Sequence, residues 1–225
     1  MRLISVTKQY EKRIVLGGLS LEIPDGKVTC VLGKSGAGKT TTLNVICGMT
    51  DFEGIVENAP SRVGYVFQED RLIPHMSICE NLQFVGGRDE IIKKMLPRAG
   101  LQELKDRRVC SLSGGEKRRV EMLRAFCVDA PVVLLDEPFS ALDTITKSTI
   151  HRWYLDVMER IHLSTLFITH DIDEAILLSD RIYLLSGQPG RITAELVIKE
   201  PKPRSADFNL TPEFLEYKRK ILSML

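Results

Sequence analysis

No run of 18 uninterrupted apolar residues occurs anywhere in this 225-residue chain, so nothing in it reads as a membrane-spanning helix. Cysteine is sparse and unpatterned. The five cysteines (Cys30, Cys47, Cys79, Cys110 and Cys127) are scattered, odd in number and form no C-x-x-C pair. That excludes a disulfide framework and a cysteine zinc site, and fits a reducing compartment. An excess of either charge is also missing, with 31 Lys plus Arg against 30 Asp plus Glu. So even a balance leaves no footprint for nucleic acid or for a strongly anionic membrane surface. Internal repeats and low-complexity tracts are absent, and Met1-Arg2-Leu3-Ile4-Ser5 reads as the start of a strand rather than a targeting segment. What is present is a 44% hydrophobic composition, enough for one large domain or a core with a subdomain. The expected location is cytoplasmic unless another component holds the chain at a membrane.

The most informative stretch is Gly33-Lys34-Ser35-Gly36-Ala37-Gly38-Lys39-Thr40, followed by Thr41. It follows the apolar run Val28 to Leu32 and leads into an expected helix from Thr41 to Gly48. The spacing is that of a phosphate-binding loop, G-x-x-x-x-G-K-[ST]. Glycines let successive backbone N–H groups turn inward on a polyphosphate, and the helix N-terminus adds partial positive charge. Lys39 is placed to reach the terminal phosphates and the Thr40 hydroxyl to bind a magnesium ion. These residues predict a nucleoside triphosphate as ligand.

Around this loop the pattern is α/β. Strands are expected at Leu3 to Thr7, Leu19 to Ile23 and Val28 to Leu32, with turns at Gly17-Gly18 and Pro24-Asp25-Gly26. A short strand pair is expected at Ile55-Val56 and Val63 to Phe67. From Ser77 to Arg124 apolar residues recur at helical spacing (Ile78, Leu82, Val85; Ile91, Met95; Val120, Leu123), which predicts a helical insert. Val132 to Leu135 and Thr165 to Ile168 then bracket an amphipathic helix near Thr144 to Arg160, and strand-helix-strand order implies parallel pairing. A Gly187-Gln188-Pro189-Gly190 turn, a last strand near Arg191 to Ile198, a linker punctuated by Pro201 and Pro203, and a helix from Pro212 complete the chain. In that helix Phe214, Leu215, Tyr217, Ile221 and Leu222 are expected to pack on the core.

Val132 to Leu135 runs into Asp136-Glu137, the expected second half of the nucleotide site. Asp136 at a strand end would order the magnesium shell, and Glu137 would polarise the water that attacks the γ-phosphate. Further on, Leu112-Ser113-Gly114-Gly115-Glu116 opens a helix through Lys117-Arg118-Arg119-Val120. A serine and two glycines at a helix start form an outward-facing anion cradle.

With this motif the chain resembles the ATPase subunits of ATP-binding cassette (ABC) transporters, over about Leu3 to Ile198. The resemblance implies a head-to-tail homodimer in which Ser113, Gly114, Gly115 and Glu116 of one copy close on ATP held by the phosphate loop of the other. It also implies that Tyr10 stacks on adenine and that Gln68, in Val66-Phe67-Gln68-Glu69-Asp70, touches magnesium and water. Ser140-Ala141-Leu142-Asp143 would cross the dimer interface, and His170 would contact the γ-phosphate. The implied fold is a P-loop NTPase core with a mostly parallel sheet, an N-terminal antiparallel β subdomain and a helical subdomain at about residues 75–125. Residues 1–200 would form the ATPase domain and 201–225 a linker and helix. Within the family the chain is most similar to importer ATPases for nitrate, sulfonates and taurine, on Ala175 and the Leu184 to Ile192 ending. The implied cofactors are ATP and Mg²⁺. The implied partners are a second copy, integral membrane permease subunits and, indirectly, a solute-binding protein, with no nucleic acid. That places the chain on the inner face of the cell membrane. Two positions depart from the pattern: Glu116 stands where glutamine is commoner, and His75 where the subgroup often carries tryptophan.

Rival readings are a soluble ABC ATPase acting on DNA or ribosomes, a P-loop kinase or GTPase, and an ABC export subunit. The first usually needs two cassettes or a coiled-coil insertion, neither of which is present. The second lacks an N-K-x-D motif and leaves Leu112 to Glu116 unexplained.

Overall fold

The computed structural model describes residues 1–140, 142–202, 204–205 and 207–225. Ala141 of the expected interface loop and Pro203 of the expected linker lie outside the described residues. In chain order the elements are β1 (Arg2–Tyr10), β2 (Arg13–Glu22), β3 (Val28–Gly33), α1 (Lys39–Ile46), β4 (Glu53–Glu57) and β5 (Val63–Val66). Next come α2 (Ile78–Phe84), α3 (Asp89–Arg98), α4 (Gly114–Cys127), β6 (Val132–Asp136), α5 (Thr144–Ile161) and β7 (Ser164–Thr169). α6 (Ile172–Leu178), β8 (Arg181–Ser186), β9 (Arg191–Val197) and α7 (Pro212–Met224) follow.

Two sheets organise the chain. β2-β1-β4 is antiparallel, and β5-β6-β7-β3-β8-β9 is parallel except for β9, which runs antiparallel on the edge beside β8. β3, β6 and β7 are buried along their whole length, which is why they read as continuous apolar runs without alternation. One face of the large sheet packs on the small sheet and α1 through Leu3, Val6, Leu19, Leu43 and Ile46. The other packs on α4, α5 and α6 through Met122, Leu123, Tyr154, Val157 and Ile176. The expected α/β class, antiparallel subdomain and helical insert are all present.

Several local expectations are corrected. Gly17-Gly18 is no turn between strands: the chain reverses at Glu11-Lys12, and both glycines lie inside β2. There the pairing slips from Val6↔Leu19 to Lys8↔Leu16, so β2 carries an extra residue as a bulge. The strands around Ile55 and Val63 do not pair with each other; β4 joins β1 and β5 joins β6 in the other sheet. The helix expected from Thr41 to Gly48 starts earlier, at Lys39, because Gly38 takes the N-cap at φ 100°. α6 and β8 escape the sequence reading, being short apolar segments with little periodicity to separate them.

The tail docks on the core through Phe214, Tyr217 and Ile221, while the expected Leu215 and Leu222 are exposed. On a helix of 3.6 residues per turn the first three share one face and the other two fall outside it. Arg204 anchors the segment. Its Nη1 donates to the carbonyls of Ile176, Leu177 and Ser179 at 2.8, 2.9 and 2.8 Å, satisfying the C-terminus of α6.

Candidate functional site

The site forms at the C-terminal edge of the parallel strands, where ligands gather in open α/β sheets. β3 delivers the loop Gly33–Lys39, β6 ends on Asp136, β7 leads into His170, and β5 leads through Phe67 to Gln68. A cavity of about 630 Å³ opens there, lined by Gly33 to Gly36, Gly38 to Thr41, Gln68, Glu137 and His170. The structure therefore gathers eight of the nine loop positions expected from sequence with the three expected catalytic side chains. Ala37 is the ninth, and it is buried. Its carbonyl faces the 187–190 turn so closely that a Cβ on Gly190 would lie 2.2 Å from it. This turn, bonded to β2 from Gly190 N to Val15 O at 2.8 Å, buttresses the phosphate loop from behind.

Lys39 is 5% exposed and folds over its own loop, donating to the carbonyls of Gly33 (2.9 Å) and Lys34 (3.1 Å). Its Nζ lies 3.3 Å from Glu137 Oε1, and Glu137 Oε2 lies 3.0 Å from His170 Nδ1. Lysine, carboxylate and imidazole thus form one chain across the cavity. Beneath it, the Thr40 hydroxyl donates to Asp136 Oδ1 at 3.4 Å. Burial pushes the Asp136 carboxyl above the usual carboxylate range, with the neighbouring Glu137 adding to it against Thr40 and Lys39. The Thr40 hydroxyl, the Asp136 carboxylate and the carbonyl of the Gln68 amide are oxygen ligands, a set that suits a hard divalent cation such as Mg²⁺. Lys39→Ala removes a charged contact worth about 1.5–3 kcal/mol, so the dissociation constant for ATP should rise about 10- to 150-fold by equilibrium titration.

Tyr10 stands apart from this cavity. It is 42% exposed at the end of β1, with Lys8 Nζ 4.5 Å from its ring centroid. Sequence reading missed Val15, Ile172 and Leu225, which also line the cavity. No sequence signal marks Val15, since the bulge beside it reads as a turn; Leu225 arrives only because α7 docks.

A second cavity of about 450 Å³ is lined by Ser113, Gly114, Gly115, Glu116, Leu142, Asp143 and Thr146, none of which lines the first. Ser113 caps α4: its Oγ accepts from Glu116 N, and Glu116 Oε2 accepts from Ser113 N at 2.8 Å. The Ser113 backbone, then its hydroxyl, hold the Glu116 carboxyl below its ordinary range. A Cβ on Gly114 would meet nothing within 4 Å, so this loop presents bare backbone outward. Asp143 caps α5, accepting from Ile145 N and Thr146 N at 3.1 and 3.0 Å.

His170 is braced from α5. Lys147 Nζ bonds Asp171 Oδ2 at 2.8 Å and pairs with Glu174, whose other oxygen accepts from Thr169. His151 closes this cluster with its ring edge-on to Phe139 at 4.4 Å, and burial, then Lys147, push its pKa down to about 4. It folds neutral, whereas an unfolded imidazole titrates near 6.5. Between those values the unfolded chain binds the extra proton, so stability falls as pH drops, by about 1.4 kcal/mol per unit. Denaturation at pH 7, 6, 5 and 4 should show this slope, and His151→Leu should remove that part of it.

A lysine-bearing phosphate loop beside an Asp-Glu pair, with a second anion cradle elsewhere on the surface, defines a P-loop nucleotide-hydrolysing protein. The family model for ABC transporters matches residues 16–140. An aliphatic sulfonates import ATP-binding protein, SsuB 2 of Burkholderia lata, is 38% identical over 209 residues, 88% of this chain and 77% of its own. The nitrate import ATP-binding protein NrtD of Synechocystis sp. is 35% identical over 234 residues, 94% of this chain and 88% of its own. A solved dimeric bacterial ABC transporter cassette superposes with a TM-score of 0.74 at 27% identity, covering 89% of this chain and 99% of that one. The same cassette is also known as a post-hydrolysis dimer bound to ADP and Pi, with a TM-score of 0.72. This chain belongs to the ABC transporter ATP-binding family and is an ATPase of that family.

Proposed function

We propose that the chain is the ATP-hydrolysing subunit of an importer for a small anion of the sulfonate or nitrate class, working as a head-to-tail homodimer. The observation that carries this is the division of the site. The phosphate loop and the Ser113 cradle occupy different cavities of one chain, so a second copy is what brings a cradle onto each triphosphate. The dimeric state of the related cassette supports the same arrangement. Gly33 to Thr41 hold the phosphates, Glu137 polarises water, His170 meets the γ-phosphate, and Tyr10 offers its exposed ring to adenine. Thr40, Asp136 and Gln68 hold Mg²⁺, which neutralises phosphate charge when bound. Ser113 to Glu116 and Asp143 complete the partner's site.

No helix among the described residues is long and apolar enough to cross a membrane; the likeness to import ATP-binding proteins supports integral membrane permease chains as the partners that form the pore. A groove of about 520 Å³ between β5, α2 and α4, lined by Tyr65, Phe67, Phe84 and Arg124, suits an amphipathic cytoplasmic helix of such a permease. Phe84 is 66% exposed there, and the groove adjoins Gln68. The chain is thereby peripheral on the inner face of the membrane, and a solute-binding protein delivers cargo from the other side. The import names of both relatives favour this over export or action on nucleic acid. Gentle solubilisation and purification of a tagged copy tests it: a stoichiometric multi-spanning partner is expected, and recovery with ribosomes or DNA would contradict it.

A further inference from the structure

α4 does more than present the Ser113 cradle. One turn along it lies Arg118, 8% exposed, with its guanidinium beneath the end of β6. Nε donates to the Pro138 carbonyl, Nη2 to the Glu137 carbonyl at 3.2 Å and Nη1 to the Phe67 carbonyl at 3.1 Å. Nη1 also bonds Glu121 Oε2 at 2.6 Å, so the buried cation is paired one turn further along the same helix. Phe67 immediately precedes Gln68, and Glu137 and Pro138 make the turn that aims the carboxylate. That turn needs a restraint. Glu137 has φ 44°, in the left-handed region that non-glycine residues avoid. Its carbonyl is held inward by Arg118 together with Ser140 N (3.2 Å) and Ser140 Oγ (3.0 Å). A planar guanidinium can serve three carbonyls and a carboxylate in fixed directions, which a lysine ammonium at the end of a flexible stem cannot.

We infer that Arg118 is a positioning residue for hydrolysis: it locks the cradle helix, the Glu137 turn and the backbone before Gln68 into one body. Docking of the partner's nucleotide on Ser113 is then felt at the catalytic carboxylate of the same chain. This rests on the reading of Glu137 as the base that polarises water.

The test compares Arg118→Lys and the double variant Arg118→Met/Glu121→Met in the full chain. The double variant leaves no buried charge unpaired. Both are expected to keep their melting temperature within about 5 °C. In both, kcat should drop at least about tenfold, with KM for ATP changed by less than about twofold. Because Arg118 acts through the Glu137 carboxylate, the same changes in a Glu137→Gln background should lower the residual rate by less than about twofold. Parental kcat in the double variant would overturn the inference, as would an equal loss with and without the Glu137 carboxylate. Melting collapse in both variants would also overturn it and make Arg118 a packing residue. Near-parental turnover in Glu137→Gln alone would instead refute the reading of Glu137, whatever Arg118 does.

Discussion

Glu137→Gln is expected to lower ATP turnover by about 10²–10⁴-fold, the usual contribution of a positioned base, while ATP still binds within about twofold of the parent. The geometry explains why the two should separate. Binding draws on the Gly33 to Thr41 backbone, Lys39 and Thr40, all of which remain. The carboxylate, half-buried between Lys39 and His170, contributes nothing the phosphates need in order to dock. Glutamine keeps the size and the contact to His170 but cannot accept a proton from water. Removing the carboxylate also removes a negative charge beside the triphosphate, so binding should tighten if it changes at all. Stopped turnover with unchanged titration is therefore the expected pair of results. A variant that hydrolyses ATP at near-parental rate would move the base to another residue, with His170 the next candidate by position.

Ser113→Arg should stop turnover by about 10²-fold, the scale of losing a preorganised donor, without changing nucleotide affinity of the isolated chain. Ser113 lies in a cavity that shares no lining residue with the phosphate loop, so the loop of its own chain does not feel the change. The effect falls on the other copy. Arginine fills the open space beside Gly114 and removes the hydroxyl that caps α4. The cap itself is worth about 1 kcal/mol, a loss the fold tolerates, so circular dichroism should show a folded chain. Mixing Ser113→Arg chains with Lys39→Ala chains sharpens the result. At an ATP concentration too low to fill the Lys39→Ala loop each is impaired alone, yet a mixed pair joins one intact phosphate loop to one intact cradle, and part of the activity should return. Equal loss of binding and turnover in Ser113→Arg would mean that the substitution damages the fold.

The legible part of the site was the part written in contiguous residues. Gly33 to Thr41, Asp136-Glu137 and Ser113 to Glu116 each encode a turn, a cap and a charge within a few positions, and the sheet then brings the first two together. Parallel strands were legible for a similar reason, since β3, β6 and β7 are buried on both faces and read as short apolar runs. Contacts between distant segments were not. The Gly190 turn behind Ala37, the Arg204 cap on α6 and the Arg118 bonds to three carbonyls join residues 19 to 153 positions apart, and no local pattern marks them. The division of β4 and β5 between two sheets was hidden for the same reason: strand propensity does not name the partner. Leu215 and Leu222 were assigned to the buried face because hydrophobicity alone cannot fix which side of α7 docks.

The central claim is that the chain's two anion cradles meet only between copies, with ATP between them. Sedimentation velocity of the Glu137→Gln chain tests it most directly, because slow turnover keeps ATP in place. With MgATP the 25.4 kDa chain should sediment as a dimer, and Ser113→Arg introduced into the same chain should return it to a monomer that still binds ATP. A saturated Glu137→Gln chain that stays monomeric at all protein concentrations, or a dimer indifferent to Ser113→Arg, would contradict the account.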